Sequence, residues 1–122
     1  MSQASSQAHA FYKDIATSRH VWGIRDSGGI PAPKGDGGKR VMPFWSSLGR
    51  VETIIKTVPA YAGFEPFELN WDEFRDEWLA GLERDGLLVG VNWSGPRAVG
   101  FDVEPKSVRL AVEAYIEDQE TS

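Results

Sequence analysis

Asn70-Trp71-Asp72-Glu73-Phe74-Arg75-Asp76-Glu77-Trp78-Leu79-Ala80-Gly81-Leu82-Glu83-Arg84-Asp85-Gly86 runs directly into Leu87-Leu88-Val89-Gly90-Val91-Asn92-Trp93. In the first segment Trp71, Phe74, Trp78, Leu79 and Leu82 recur at helical spacing and form one apolar stripe. Asn70 offers a side-chain acceptor to the free N–H groups of the first turn. Asp72 and Glu73 add carboxylates at the positive end of the helix dipole. Gly86 stands where a left-handed C-terminal residue is expected. The second segment is the most apolar in the chain and reads as a central strand. A capped amphipathic helix feeding a buried strand places the chain among mixed helix-and-sheet folds.

The flanking sequence extends this pattern. Phe64-Glu65-Pro66-Phe67-Glu68-Leu69 alternates apolar and polar, and its proline implies that the strand begins after Pro66 or lies at an edge. Leu48, Val51, Ile54, Ile55 and Val58 share one face of a helix that Ser46 or Ser47 can cap and Pro59 stops. Residues 19–25 and 39–44 read as strands, divided by Gly28-Gly29, Pro31, Pro33 and Gly35-Asp36-Gly37-Gly38, and they are expected to pair as a hairpin with a long tip. Residues 7–17 carry Ala8, Phe11, Tyr12, Ile15 and Ala16 at helical spacing. Beyond Ser94-Gly95-Pro96, residues 99–103 read as a strand, and Pro105 opens a helix with Val108, Ala111, Val112, Tyr115 and Ile116 inward. The order is helix, two strands, helix, strand, helix, two strands, helix. It implies an α+β protein, a largely antiparallel sheet of about five short strands packed with about four helices. One domain over 1–122 is expected, compact over about 8–118, with 1–7 and 118–122 frayed.

Composition narrows the chemistry. The 122 residues contain no cysteine, which excludes disulfides, thiolate metal sites and thiol nucleophiles and suits a reducing compartment. Met1 to His9 has neither a basic nor an apolar leader region, and no apolar run approaches the ~20 residues that cross a bilayer. Cytoplasmic residence and no membrane contact are the expectations. A net charge of −5 argues against nucleic acid as a partner. Asn92-Trp93-Ser94 matches a glycosylation acceptor in letters only.

Several segments in order resemble a known family: Val21-Trp22-Gly23-Ile24, Pro43-Phe44-Trp45-Ser46, Asp72-Glu73-Phe74, Trp78-Leu79, Gly81-Leu82 and Asp85-Gly86-Leu87-Leu88-Val89-Gly90-Val91-Asn92. Together they are similar to the bacterial domain of unknown function 2750 family, whose members are small single-domain proteins. The resemblance runs from about Phe11 to the final helix. The insert between Ile30 and Gly38 is longer and more irregular than the usual hairpin loop. The resemblance supports the fold boundaries and implies no catalytic residue.

The remaining candidates are weighed on their own chemistry. His9 and His20 have no ligand or acid partner at useful spacing, so surface or structural roles are expected. Asp72 with Asp76, and Glu73 with Glu77, lie at i,i+4, a spacing that can present two carboxylates to a hard cation. A solvated helix face accounts for them better, since Asp72 and Glu73 sit at the positive helix end, Arg75 lies beside them and the apolar stripe is on the opposite face. Gly35-Asp36-Gly37-Gly38-Lys39-Arg40 lacks the hydroxyl residue and following helix of a phosphate loop, which leaves a weak anion contact through Lys34, Lys39 and Arg40. No nucleophile elbow is present, and Ser46 is most simply a helix cap. The five tryptophans are the chain's largest investment. Phe44 and Trp45 at a strand-to-helix junction, with Tyr61 and Phe64 in another loop, are expected to form an exposed apolar patch that grips a partner. The chain is therefore read as a non-catalytic binding or interaction module, with a protein partner or a second copy as its target and no cofactor or metal. The alternative is a carboxylate-based enzyme using Asp72, Asp76 or Asp85, with a divalent ion.

Overall fold

The computed structural model describes residues 3–121. They form α1 (Gln3–Ser18), β1 (His20–Arg25), β2 (Val41–Phe44), α2 (Leu48–Thr57), β3 (Glu65–Asn70), α3 over 71–85, β4 (Leu88–Ser94), β5 (Val99–Val103) and α4 (Pro105–Thr121). Four helices and five strands make an α+β protein, as the order of segments predicts.

The capped helix forms as its sequence dictates. Asn70 Oδ1 accepts from the Glu73 N–H at 2.8 Å. Gly86 ends α3 at φ 75°, a left-handed conformation that glycine adopts without a Cβ clash. The interior differs from a regular α-helix: Trp71–Glu73 and Ala80–Asp85 are α-helical, while Phe74–Leu79 is π-helical. The wider i→i+5 turn brings Phe74 and Leu79 onto one buried face.

β1 pairs antiparallel with β3, β2 pairs parallel with β4, and β4 pairs antiparallel with β5. The strands form two sheets, β1–β3 and β2–β4–β5, where a single sheet was expected; the pairing is largely antiparallel, with β2–β4 the exception. The two sheets meet where Trp22 and Trp45 exchange N–H···O bonds of 2.8 Å in both directions. The expected β1–β2 hairpin is not formed, and Pro43 supplies the reason. The next hydrogen-bonded pair on that ladder would join Ile24 to Pro43, and proline has no N–H to donate. Residues 33–35 pair there instead: Val41 N–H donates to Pro33 O, and Gly35 N–H donates to Lys39 O, both at 2.8 Å. The glycine-rich segment is thus a short hairpin of its own. Pro66 lies inside β3, and β3 is a sheet edge, where a strand tolerates proline.

Successive strand residues point to opposite faces, and helices cover both. On one face Val21, Phe44, Phe67, Val89 and Val91 pack with α1, α3 and α4 through Phe11, Ile15, Phe74, Val108 and Val112. On the other, Ile24, Val41, Trp45 and Trp93 pack with Val51 and Ile54 of α2 and with Tyr61. The helices also extend further than their apolar periodicity. α1 is helical from Gln3 through residues expected to be frayed, and Gln7 is buried beside Ser94. α4 continues to Thr121, and Gln119 Nε2 donates to Thr17 Oγ1 at 3.0 Å. Met1, Ser2 and Ser122 lie outside the described residues.

Trp45 is fully buried, and its indole N–H donates to Trp93 O at 2.8 Å. Trp45→Ala should therefore destabilise the protein by about 3–5 kcal/mol, read as a lower midpoint in a urea titration. A loss below about 1 kcal/mol would show that the indole is not a clamp.

Candidate functional site

The bulge in β4 builds a cleft on the second face. Asn92 has φ 50°, and the β4–β5 register shifts between Val91 and Ser94. Strict alternation would put residues 90 and 93 on opposite faces; the extra residue puts them on the same one. The Trp93 indole lies over Gly90, where any Cβ would collide with it, and a Cβ on Gly100 would be 3.1 Å from Trp93 Cδ1. Bare backbone at these two glycines makes room for the ring. A cleft of about 270 Å³ opens beside it, lined by Tyr61, Trp93, Arg97, Gly100 and Asp102 and by residues 33–36.

Asp102 is the polar anchor of this cleft. Its Oδ1 accepts from Trp93 Nε1–H at 3.0 Å, and its Oδ2 is 3.1 Å from where a Cβ on Gly35 would sit. Partial burial pushes the carboxyl above its ordinary value; the Trp93 bond pulls it down and the nearby Asp36 pushes it up. Lys34 and Arg97 bring the opposite charge. Among the described residues none of Lys34, Asp36, Arg97 and Asp102 takes part in an ion pair. Tyr61 is a neutral phenol in this wall, its pKa raised by burial.

Behind the rim the same bulge organises a buried polar knot. Asn92 Oδ1 accepts from the Ser46 N–H at 2.9 Å, and Asn92 Nδ2 donates to Ser46 Oγ at 3.0 Å and to Gln7 O at 3.3 Å. Ser46 Oγ donates to Asp14 Oδ2 at 2.8 Å, and Gln7 Nε2 donates to Ser94 Oγ. Ser46 is therefore not the cap of α2; that is Ser47, whose Oγ accepts from the Arg50 N–H at 3.2 Å. No imidazole reaches Ser46, because His9 lies 3.2 Å from the Tyr115 hydroxyl and His20 lies 3.5 Å from a Glu68 carboxylate on the surface. With its hydroxyl engaged and no base beside it, Ser46 is a brace.

The exposed aromatic patch is not present. Phe44 and Trp45 are fully buried, Tyr61 is 9% exposed, and Phe64 is half-buried against Tyr61 with ring centroids 5.5 Å apart. Neighbouring strand residues face opposite ways, so the two rings at the junction enter different cores. Phe44 meets Phe74 edge-on at 4.8 Å, while Trp45 packs under α2. A strand covered on one face alone would leave one of these rings exposed; the second helical layer covers it. The three cations also separate. Lys39 Nζ is 3.7 Å from Glu104, Arg40 donates to Ala32 O at 3.0 Å, and Lys34 alone lines the cleft.

Asp72 and Asp76 are bridged by Arg75, at 3.4 and 2.7 Å, and the Arg75 bond holds the Asp76 carboxyl below its ordinary value. Asp85 lies 3.4 Å from Arg84. Among the described residues, no three His, Cys, Asp or Glu side chains are grouped to hold a metal ion, and no helix is long and apolar enough to cross a membrane. Asp102, Trp93 and Asn92 went unrecognised as a unit in the sequence. The available signal was the spacing of Gly90, Trp93 and Gly100, two bare positions flanking an indole.

The model of a family described as "Protein of unknown function (DUF2750)" matches residues 8–111. No curated protein matches the sequence.

The geometry makes two expectations. A carboxyl with a raised folded-state pKa is penalised when ionised, so its cost to stability is present above that pKa and absent below the unfolded value. Asp102→Asn keeps the acceptor for Trp93 and drops the charge. It should raise the urea midpoint at about pH 7, with the gain disappearing near about pH 3; a gain that grows in acid would contradict the assignment. Asn92→Ala leaves the buried Ser46 N–H without its acceptor and should cost about 2–3 kcal/mol by the same titration.

Proposed function

The chain belongs to the DUF2750 family, and from its geometry we propose that it is a non-catalytic binding module whose ligand site is the Trp93–Asp102 cleft. The observation that carries this reading is the state of Asp102. The residue is exposed overall, but its carboxyl sits against the cleft wall, where it accepts an indole N–H from a side chain that is itself 7% exposed. A neutral N–H offsets little of the cost of holding a carboxylate there, whereas a ligand ammonium or guanidinium would offset much more. Asp36 would share that cation. Lys34 and Arg97 on the same cleft would meet an acidic group, so a small dipolar ligand fits better than a purely cationic one.

The carboxylate-enzyme alternative finds less support. Arg75 already occupies the space between Asp72 and Asp76 where an ion would sit. A bacterial cytoplasm belongs to the same proposal, because a chain with no cysteine gains nothing from an oxidising compartment.

The Trp93 indole N–H resonance, assigned by its loss in Trp93→Phe, reports on the cleft directly. Titration with an amino-acid zwitterion, putrescine and glutarate should shift it most with the zwitterion and least with glutarate. Asp102→Asn should abolish the response. If none of the three probes moves this resonance, or if Asp102→Asn responds as the parent does, the cleft is not a ligand site of this kind.

A further inference from the structure

The outer edges of the two sheets, β3 and β5, are built differently. β3 carries Glu65, Pro66 and Glu68, the charges and proline that discourage another strand from adding. β5 reads Val99-Gly100-Phe101-Asp102-Val103, with no lysine or proline, and Val99 and Phe101 are 60% and 41% exposed. Among the described residues its backbone bonds go to β4 and to no segment outside the sheet. We propose that β5 is a self-complementary edge, and that two copies of this chain join by antiparallel β5–β5 pairing about a two-fold axis at Phe101.

The register follows from the sequence of the strand. A two-fold axis at Phe101 sets Phe101 opposite Phe101 of the second copy, Val99 opposite its Val103, and Gly100 opposite its Asp102. Aromatic and β-branched pairs are favourable cross-strand partners. Asp102 is the one charged residue in the strand and meets a glycine, so no like charges stand directly opposed. Val99 and Phe101, two apart in the strand, would each meet an apolar side chain of the second copy. Val99 and Gly100 both line the cleft, so the second copy brings its Asp102 to the cleft rim. A closed two-fold contact also ends the edge instead of propagating it. The pairing does not depend on the cleft binding a ligand.

The test uses the full chain. Sedimentation velocity across the micromolar range should show a concentration-dependent dimer. Phe101→Lys should return it to monomer with an unchanged circular dichroism spectrum, whereas Leu110→Lys, at an exposed position on α4, should leave the dimer intact. The absence of cysteine makes the register directly readable. Opposed residues on antiparallel strands lie about 4.5–5.5 Å apart at Cα, within disulfide reach, so Phe101→Cys should cross-link to itself under mild oxidation. Val99→Cys should not, since the two copies of Val99 would be about 13 Å apart along the strands. A chain that stays monomeric throughout overturns the proposal. So does a dimer that survives Phe101→Lys, or one in which Val99→Cys cross-links and Phe101→Cys does not.

Discussion

Two backbone hydrogen bonds between Trp22 and Trp45 join the two sheets, and Pro43 limits the junction to that single pair. Everything else at the centre of the molecule is arranged around the segment that makes it. Phe44 turns to one face and meets the aromatic side of α3; Trp45 turns to the other and ties its indole to the Trp93 carbonyl; the Ser46 amide goes to Asn92. Three consecutive residues thus engage three separate layers. A short strand with one imino acid can hold this position because neighbouring segments satisfy its remaining backbone groups: β4 on one side, residues 33–35 on the other.

The bulge at Asn92 is the second constraint, and the cleft depends on it. A left-handed residue in mid-strand is costly for anything but glycine, asparagine or aspartate. Here asparagine uses its amide to bind Ser46 and the Gln7 carbonyl while its backbone displaces Trp93 by one position. The displacement turns an indole over Gly90 and toward Asp102. Structural bracing and candidate binding chemistry therefore share one irregularity, which is where a fold most often departs from regular geometry for a purpose.

Heavy aromatic content proved ambiguous as a guide to function. An aromatic pair at a junction signals exposure only if a single face is available for burial. In this chain α2 covers the second face, so Phe44 and Trp45 are both internal. Among the described residues the exposed large apolar side chains are instead Val99 and Phe101 on β5, Leu110 on α4 and Leu48 on α2. Only the first two share a strand edge, which separates them from isolated exposed residues that need no explanation.

By itself the sequence determined the local elements: the Asn70 cap, the Gly86 stop, the apolar strand after it and the α+β order all follow from short-range spacing and side-chain chemistry. Such features are decided within a few residues, so a single chain displays them. The tertiary structure alone decided which strands pair, which face each tryptophan enters and which polar groups converge. Pairing of β1 with β3, and of β2 with β4, rests on hydrogen bonds between residues far apart in sequence. The meeting of Trp93 with Asp102 rests on a one-residue bulge whose traces in the sequence are an asparagine amid apolar neighbours and the glycines on either side of the indole. Alternation predicts faces until an extra residue shifts it, and long-range packing determines where that residue goes.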